Sequence, residues 1–73
     1  MNYSLVGIQS FEDGSRILLN RALSNVVDGV SYFSYACGLH KPGSVVQWYT
    51  TLACNNAEAV LDAIGNWTQQ GLI

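Results

Sequence analysis

Charge is what this chain has least of. Three basic and five acidic residues make up 11% of its 73 positions, where an ordinary globular chain spends about a quarter. With so few Lys and Arg, a net charge of −2 and a pI near 4.8, a nucleic-acid binder that tracks phosphates is excluded. Long apolar runs are also missing: none approaches the roughly 18 residues of a helical membrane span. The start, Met1-Asn2-Tyr3-Ser4, has neither the basic segment nor the apolar core of a signal peptide. Two localisations stay open, cytoplasmic or secreted after removal of an upstream segment. The sequons at Asn2 and Asn66 matter only in the second case.

Soft metal donors are equally sparse. Cys37, Cys54 and His40 are the only Cys and His residues, with no Cys-x-x-Cys and no His pair. A zinc site needs four ligands with recognisable paired spacing, so metal binding is not expected. Cys37 and His40, three apart in a strand, point to opposite faces and cannot act as a nucleophile and base. Glu58 and Asp62 lie one helical turn apart, but a solvated helix face explains them better than acid–base chemistry. The seven glycines are scattered and build no phosphate-cradling loop. The sequence therefore implies no catalytic residue and no cofactor.

What is present is apolar: 49% hydrophobic and 11% aromatic residues, enough to argue for a folded chain. No linker, repeat or low-complexity stretch divides residues 1–73, which read as one domain. Tyr3 to Phe11 reads as a strand, and Glu12-Asp13-Gly14-Ser15 as a turn. From Arg16 to Val27, the rows Leu18-Ala22-Val26 and Leu19-Leu23-Val27 form one helical stripe, closed by Asp28-Gly29. Val30 to Leu39 and Val45 to Cys54 read as strands joined by Lys41-Pro42-Gly43-Ser44, with Gly43 supplying the positive φ of a type II turn. Asn55 and Glu58 start a second helix, whose apolar set is Ala57, Val60, Leu61, Ile64 and Trp67, and Gly71 stops it. The order is β-α-β-β-α. The fold expected is α+β, a small three-stranded sheet with two helices packed on one face, a ferredoxin-like plan without its last strand.

With Pro42 and Gly43 central, the hairpin faces Leu39 with Val46, Cys37 with Trp48 and Phe33 with Leu52, all on the core side. The other face carries Tyr32, Ser34, Ala36 and Gly38 against Ala53, Thr51, Tyr49 and Gln47. A two-residue Pro-Gly hairpin is not the preferred twist, and a four-residue loop or a one-position slip would be the alternative, the slip swapping these faces. Cys54 then lies about six strand residues, roughly 20 Å, from Cys37, too far for a disulfide.

Phe33, Trp48 and Trp67 are assigned to the core. Tyr3, Leu5, Tyr32, Tyr35 and Tyr49 are the candidate interface, because tyrosine suits contacts with one apolar and one wet side. The favoured function is a non-enzymatic protein-interaction domain that associates through a sheet edge or a Tyr-rich sheet face. An unprotected first strand, free of Lys and Pro, points to a homo-oligomer, with another protein as the alternative partner. Two other readings remain. Low charge with Asn, Ser, Thr and Gly dressing is similar in general character to fungal killer-toxin-like proteins, which implies a small secreted toxin or effector. A cleft between helices and sheet would make a small enzyme or ligand carrier.

Overall fold

Asp28 and Gly29 reverse the chain. In the computed structural model, which describes residues 2–73, both have positive φ, 52° and 76°. That pair of left-handed residues makes the tight hairpin turn whose twist continues that of the flanking strands. Arg16–Val27 is consequently a strand, β2, and not a helix. It pairs with β3 (Val30–His40) from Val27↔Val30 at the turn to Arg16↔His40 at the far end. With β1 (Ser4–Ser10) and β4 (Gln47–Leu52) the order is β1-β2-β3-β4, an antiparallel sheet in which chain neighbours are sheet neighbours. One helix, α1 (Asn56–Gln69), follows. The ferredoxin-like expectation of three strands and two helices is thereby corrected to four strands and one helix.

The helical stripe misled because β2 is a central strand with apolar residues on both faces. Ile17, Leu19 and Leu23 face one side with Arg21; Leu18 and Ala22 face the other with Asn20. Such a strand satisfies i,i+4 spacing as well as i,i+2.

The β3–β4 register is also one residue away from the expected one. Leu39 faces Gln47, Cys37 faces Tyr49 and Ser34 faces Leu52. The Lys41–Ser44 turn does form, closed by Ser44 N–H donating to the Lys41 carbonyl at 3.1 Å, with Gly43 at φ 75°. A Pro-Gly turn of this hand does not continue the strand twist, so the loop widens by a residue before pairing begins. The slip moves every β4 side chain to the other face. Trp48 and Leu52 leave the core side, and Tyr49 joins it.

The helix packs on β3 and β4. Ile17, Tyr35, Cys37 and Leu39 from the sheet meet Ala59, Ala63 and Trp67 from α1. Trp67, 1% exposed, is the largest fully buried side chain. The buried row is Ala59-Ala63-Trp67 flanked by Val60 and Ile64, so the expected stripe is rotated and Leu61 stands 68% exposed. Two small alanines let the helix axis approach the sheet, where Trp67 fills the remaining depth.

Both helix ends are local constructions. The Asn55 side chain accepts from Glu58 N–H at 2.9 Å, and Glu58 Oε2 accepts from Asn55 N–H at 3.3 Å. At the other end Gly71, φ 75°, lets Leu72 N–H reach the Trp67 carbonyl at 2.9 Å and Gly71 N–H reach that of Thr68 at 3.1 Å. Leu72 then packs against the core. Among the described residues no helix is long and apolar enough to cross a membrane.

Candidate interaction surface

A sheet has two faces, and α1 packs on one of them, over β3 and β4. On the outer face the middle of the two central strands carries small side chains, Asn20 and Ala22 on β2 and Ser34, Ala36 and Gly38 on β3, with Leu18 the large exception beside Gly38. The edge strands carry large ones on that face: Leu5 and Ile8 on β1, Trp48 and Leu52 on β4. The result is a trough along β2 and β3, walled by the edges. Ala22, Ser34 and Ala36 on its floor are buried, down to 1% exposure at Ser34, while its walls are open, 53% at Trp48 and 71% at Leu52. Tyr3, Asn20, Ala36 and Trp48 line a depression of about 280 Å³ within it.

The electrostatics of this face are simple. Arg16, at the end of the sheet, is the one charged residue that strand alternation places there. Arg21 belongs to the other face, where its guanidinium sits 4.4 Å from the Phe33 ring centroid. The remaining charges lie in turns and on the helix: Glu12, Asp13, Asp28, Lys41, Glu58 and Asp62. Tyr3, Leu5, Ile8, Tyr32, Trp48 and Leu52 all stand open on this face.

Of the five residues singled out from sequence, Tyr3, Leu5 and Tyr32 lie on this face. Tyr35 does not: it is 3% exposed in the core, tilted against Phe33 at 6.3 Å between ring centroids. Tyr49 is half-buried on the helix side. Ile8, Trp48 and Leu52 were missed, and for the last two the correct register was the missing signal.

A second concavity of about 450 Å³ opens at the turn end of the sheet, between Phe11, Ile17, Leu39 and Ile64, with Asp13 and Lys41 among its lining. Asp13 Oδ1 accepts from both the backbone N–H (2.9 Å) and the hydroxyl of Ser15. These bonds, the hydroxyl first, and the Lys41 charge hold its carboxyl below the ordinary aspartate range. One carboxylate oxygen taking both the Ser15 N–H and its hydroxyl is a local turn closure, and the pair closes the β1–β2 turn.

The thiols stand apart from both surfaces. Cys37 and Cys54 are free, but not because a strand's length separates them. Ala53, φ 54°, turns the chain at the end of β4, and Cys54 packs against the same core cluster that holds Cys37. Burial, with a smaller contribution from Cys54, pushes the Cys37 thiol up to about 11. Its Sγ lies 3.6 Å from the Ala59 carbonyl, and Cys54 Sγ lies 3.0 Å from Thr51 Oγ1. Among the described residues no three His, Cys, Asp or Glu side chains gather closely enough to hold a metal ion.

No family model matches this chain, and neither a curated protein nor a solved structure is significantly similar to it.

Proposed function

We propose that this chain is a non-enzymatic protein-association domain and that the outer face of its sheet is the binding surface. The observation that carries this reading is a sheet layered with a helix on one side only. The bare side holds the open Trp48, Leu52, Leu5 and Ile8, with Arg16 at its end as the lone charge. Depletion of charge around aromatic and aliphatic anchors is the composition of an interface core. The β1 edge supports association less well. Its ladder breaks between Leu5 and Gly7, a bulge at Val6, and bulges blunt an edge as a pairing template. Position-specific photo-crosslinking tests the reading. A benzophenone residue replacing Leu52 should yield protein adducts in the native host cell, and one replacing Leu61 on the helix should not. Equal labelling at both positions, or none at Leu52, overturns it.

A ligand-carrier reading is favoured by the cleft between Ile17, Leu39 and Ile64, which suits an uncharged apolar chain, since Asp13 shares the lining with Lys41 and offsets its charge. Titration with a medium-chain alcohol should shift the methyl resonances of those three residues. Unmoved resonances at millimolar ligand would rule it out. The toxin reading rests on composition alone.

A further inference from the structure

We infer that the open edge of β4 pairs with the β4 of a second copy, joining two four-stranded sheets into one across a two-fold axis. The inference does not depend on what the outer face binds. It starts from the backbone. Ala53 N–H donates to the Phe33 carbonyl at 2.9 Å, continuing the register in which Ser34 faces Leu52, Tyr35 faces Thr51 and Cys37 faces Tyr49. Hydrogen-bonded and open pairs alternate along an antiparallel ladder. Tyr49 and Thr51 therefore exchange their bonds with β3, and Trp48, Thr50 and Leu52 turn N–H and C=O away from it. Because β4 ends the sheet, no strand of this chain meets those groups.

The two edges of the sheet are guarded differently. The β1 ladder breaks between Leu5 and Gly7, and such a bulge spoils an edge as a template. The β3–β4 register runs without a break, and Gln47–Leu52 holds no charge, proline or glycine. Charged side chains, proline and bulges are what keep an edge from pairing, and β4 has none of them. The indole of Trp48 leaves the edge clear, since the ring lies over Gly38, on the β3 side.

Complementarity of the strand to itself selects a second copy. A register centred on Thr50 gives every outward group a partner: Trp48 meets Leu52 of the other copy, Thr50 meets Thr50, and Leu52 meets Trp48. The patch is the same on both sides, as an isologous interface requires. Trp48 and Leu52, both open, cover apolar surface across the pair, and threonine opposite threonine is a favourable cross-strand match. With no charged residue in the strand, no like charges oppose each other.

The helices permit the approach. Each α1 lies over its own β3 and β4, so the pair would run roughly 10 Å apart on one face of the joined sheet, a distance at which helices pack. The flank of α1 beside Tyr49 carries Gly65, Asn66 and Gln69, with Asp62 its one charge. A single strand edge makes an interface of the small, weak class, below about 1,200 Å² in total. The dimer therefore forms only at high micromolar concentration of the chain.

The test is sedimentation equilibrium of the purified full chain from low micromolar to hundreds of micromolar, read beside amide hydrogen exchange along β4. Purified chain holds no other partner, so failure here leaves the outer-face reading to its cross-linking test. The expected result is a dimer at the highest concentrations, in which the Trp48, Thr50 and Leu52 amides become protected. Those of Tyr49 and Thr51 should be protected throughout. Thr50→Pro removes one outward N–H without touching the β3 ladder and should weaken the dimer at least tenfold. Thr50→Lys, which places a charge on the open edge, carries the test if the proline variant does not fold. Leu5→Lys, on the outer face but away from β4, should leave the dimer unchanged. A monomer at hundreds of micromolar overturns the inference, as does a dimer whose outward β4 amides stay unprotected or that tolerates both Thr50 variants. A dimer that Leu5→Lys disrupts stacks through the outer face, and edge pairing is overturned.

Discussion

Gly38 lies directly beneath the indole of Trp48. A Cβ at position 38 would stand 2.8 Å from Trp48 Cζ3 and 3.0 Å from Val46 Cγ1. The absence of a side chain on β3 is what lets the ring lie down on the sheet. The obstructing atoms are side-chain ends, and Trp48 is free to swing outward. Gly38→Ala should therefore change folding stability by less than about 1 kcal/mol, since a less flexible unfolded chain offsets part of the strain. It should nevertheless lift the indole off the sheet. Urea denaturation reads the stability, and tryptophan emission reads the ring of Trp48, since Trp67 is already buried.

The turn between β2 and β3 makes a sharper demand on backbone. Gly29→Val places a β-branched residue at φ 76°, and the expected loss is about 1–3 kcal/mol. Asp28→Gly relieves a non-glycine residue at φ 52° and should be neutral or stabilising. The midpoints of urea unfolding check both, and equal midpoints for Gly29→Val and wild type would contradict the assigned turn.

The two thiols should separate by reactivity. Cys37 is fully buried and held protonated, its pKa raised to about 11. A disulfide reagent near pH 8 should therefore label Cys54 promptly and Cys37 only after denaturant is added. Because the folded state disfavours the Cys37 thiolate, its contribution to stability is complete below the unfolded value near 9. That contribution is lost as pH rises from there through about 11. In Cys37→Ala the alkaline decline in stability should be shallower, a difference that thermal melts at two alkaline pH values will read.

Asn55→Ala removes the acceptor for Glu58 N–H and should cost about 1 kcal/mol. Asn55→Asp retains an acceptor beside the helix N-terminus and should restore that loss. Thermal unfolding of the pair distinguishes capping from a general intolerance of substitution at this position.

Features encoded within a few residues were legible in the sequence. The Asn55–Glu58 reciprocal cap, the stop at Gly71 and the turn at Lys41–Ser44 all occur where expected, because each is satisfied by its own neighbours. Features that depend on what lies across the sheet were not. Leu18, Leu19, Ala22 and Leu23 are as compatible with a helix as with a central strand that carries apolar residues on both faces. Only the Asp28-Gly29 pair, flanked by Val27 and Val30, signals a hairpin there. The outer face was half legible, through Tyr3, Leu5 and Tyr32. Trp48 and Leu52 depended on a register that a single extra loop residue decides.

The consecutive order β1-β2-β3-β4 bears on how fast the chain reaches this structure. Every strand pair is joined by its own short connection, so no pairing waits on the closure of a long loop. Contacts that are local in sequence lower the entropy lost before the transition state, and folding rates rise accordingly. The β2–β3 hairpin has the longest ladder and the tightest turn, which makes it the natural nucleus, formed within about 1–10 µs in isolated hairpins. The outer strands then zip onto its two flanks. The helix has contacts with β3 and β4 to gain, and it docks once Cys37, Leu39 and Tyr49 present a common surface. A chain that assembles from the middle outward in this way buries its helix side last, since Ile17, Tyr35, Cys37 and Leu39 wait on that side for α1.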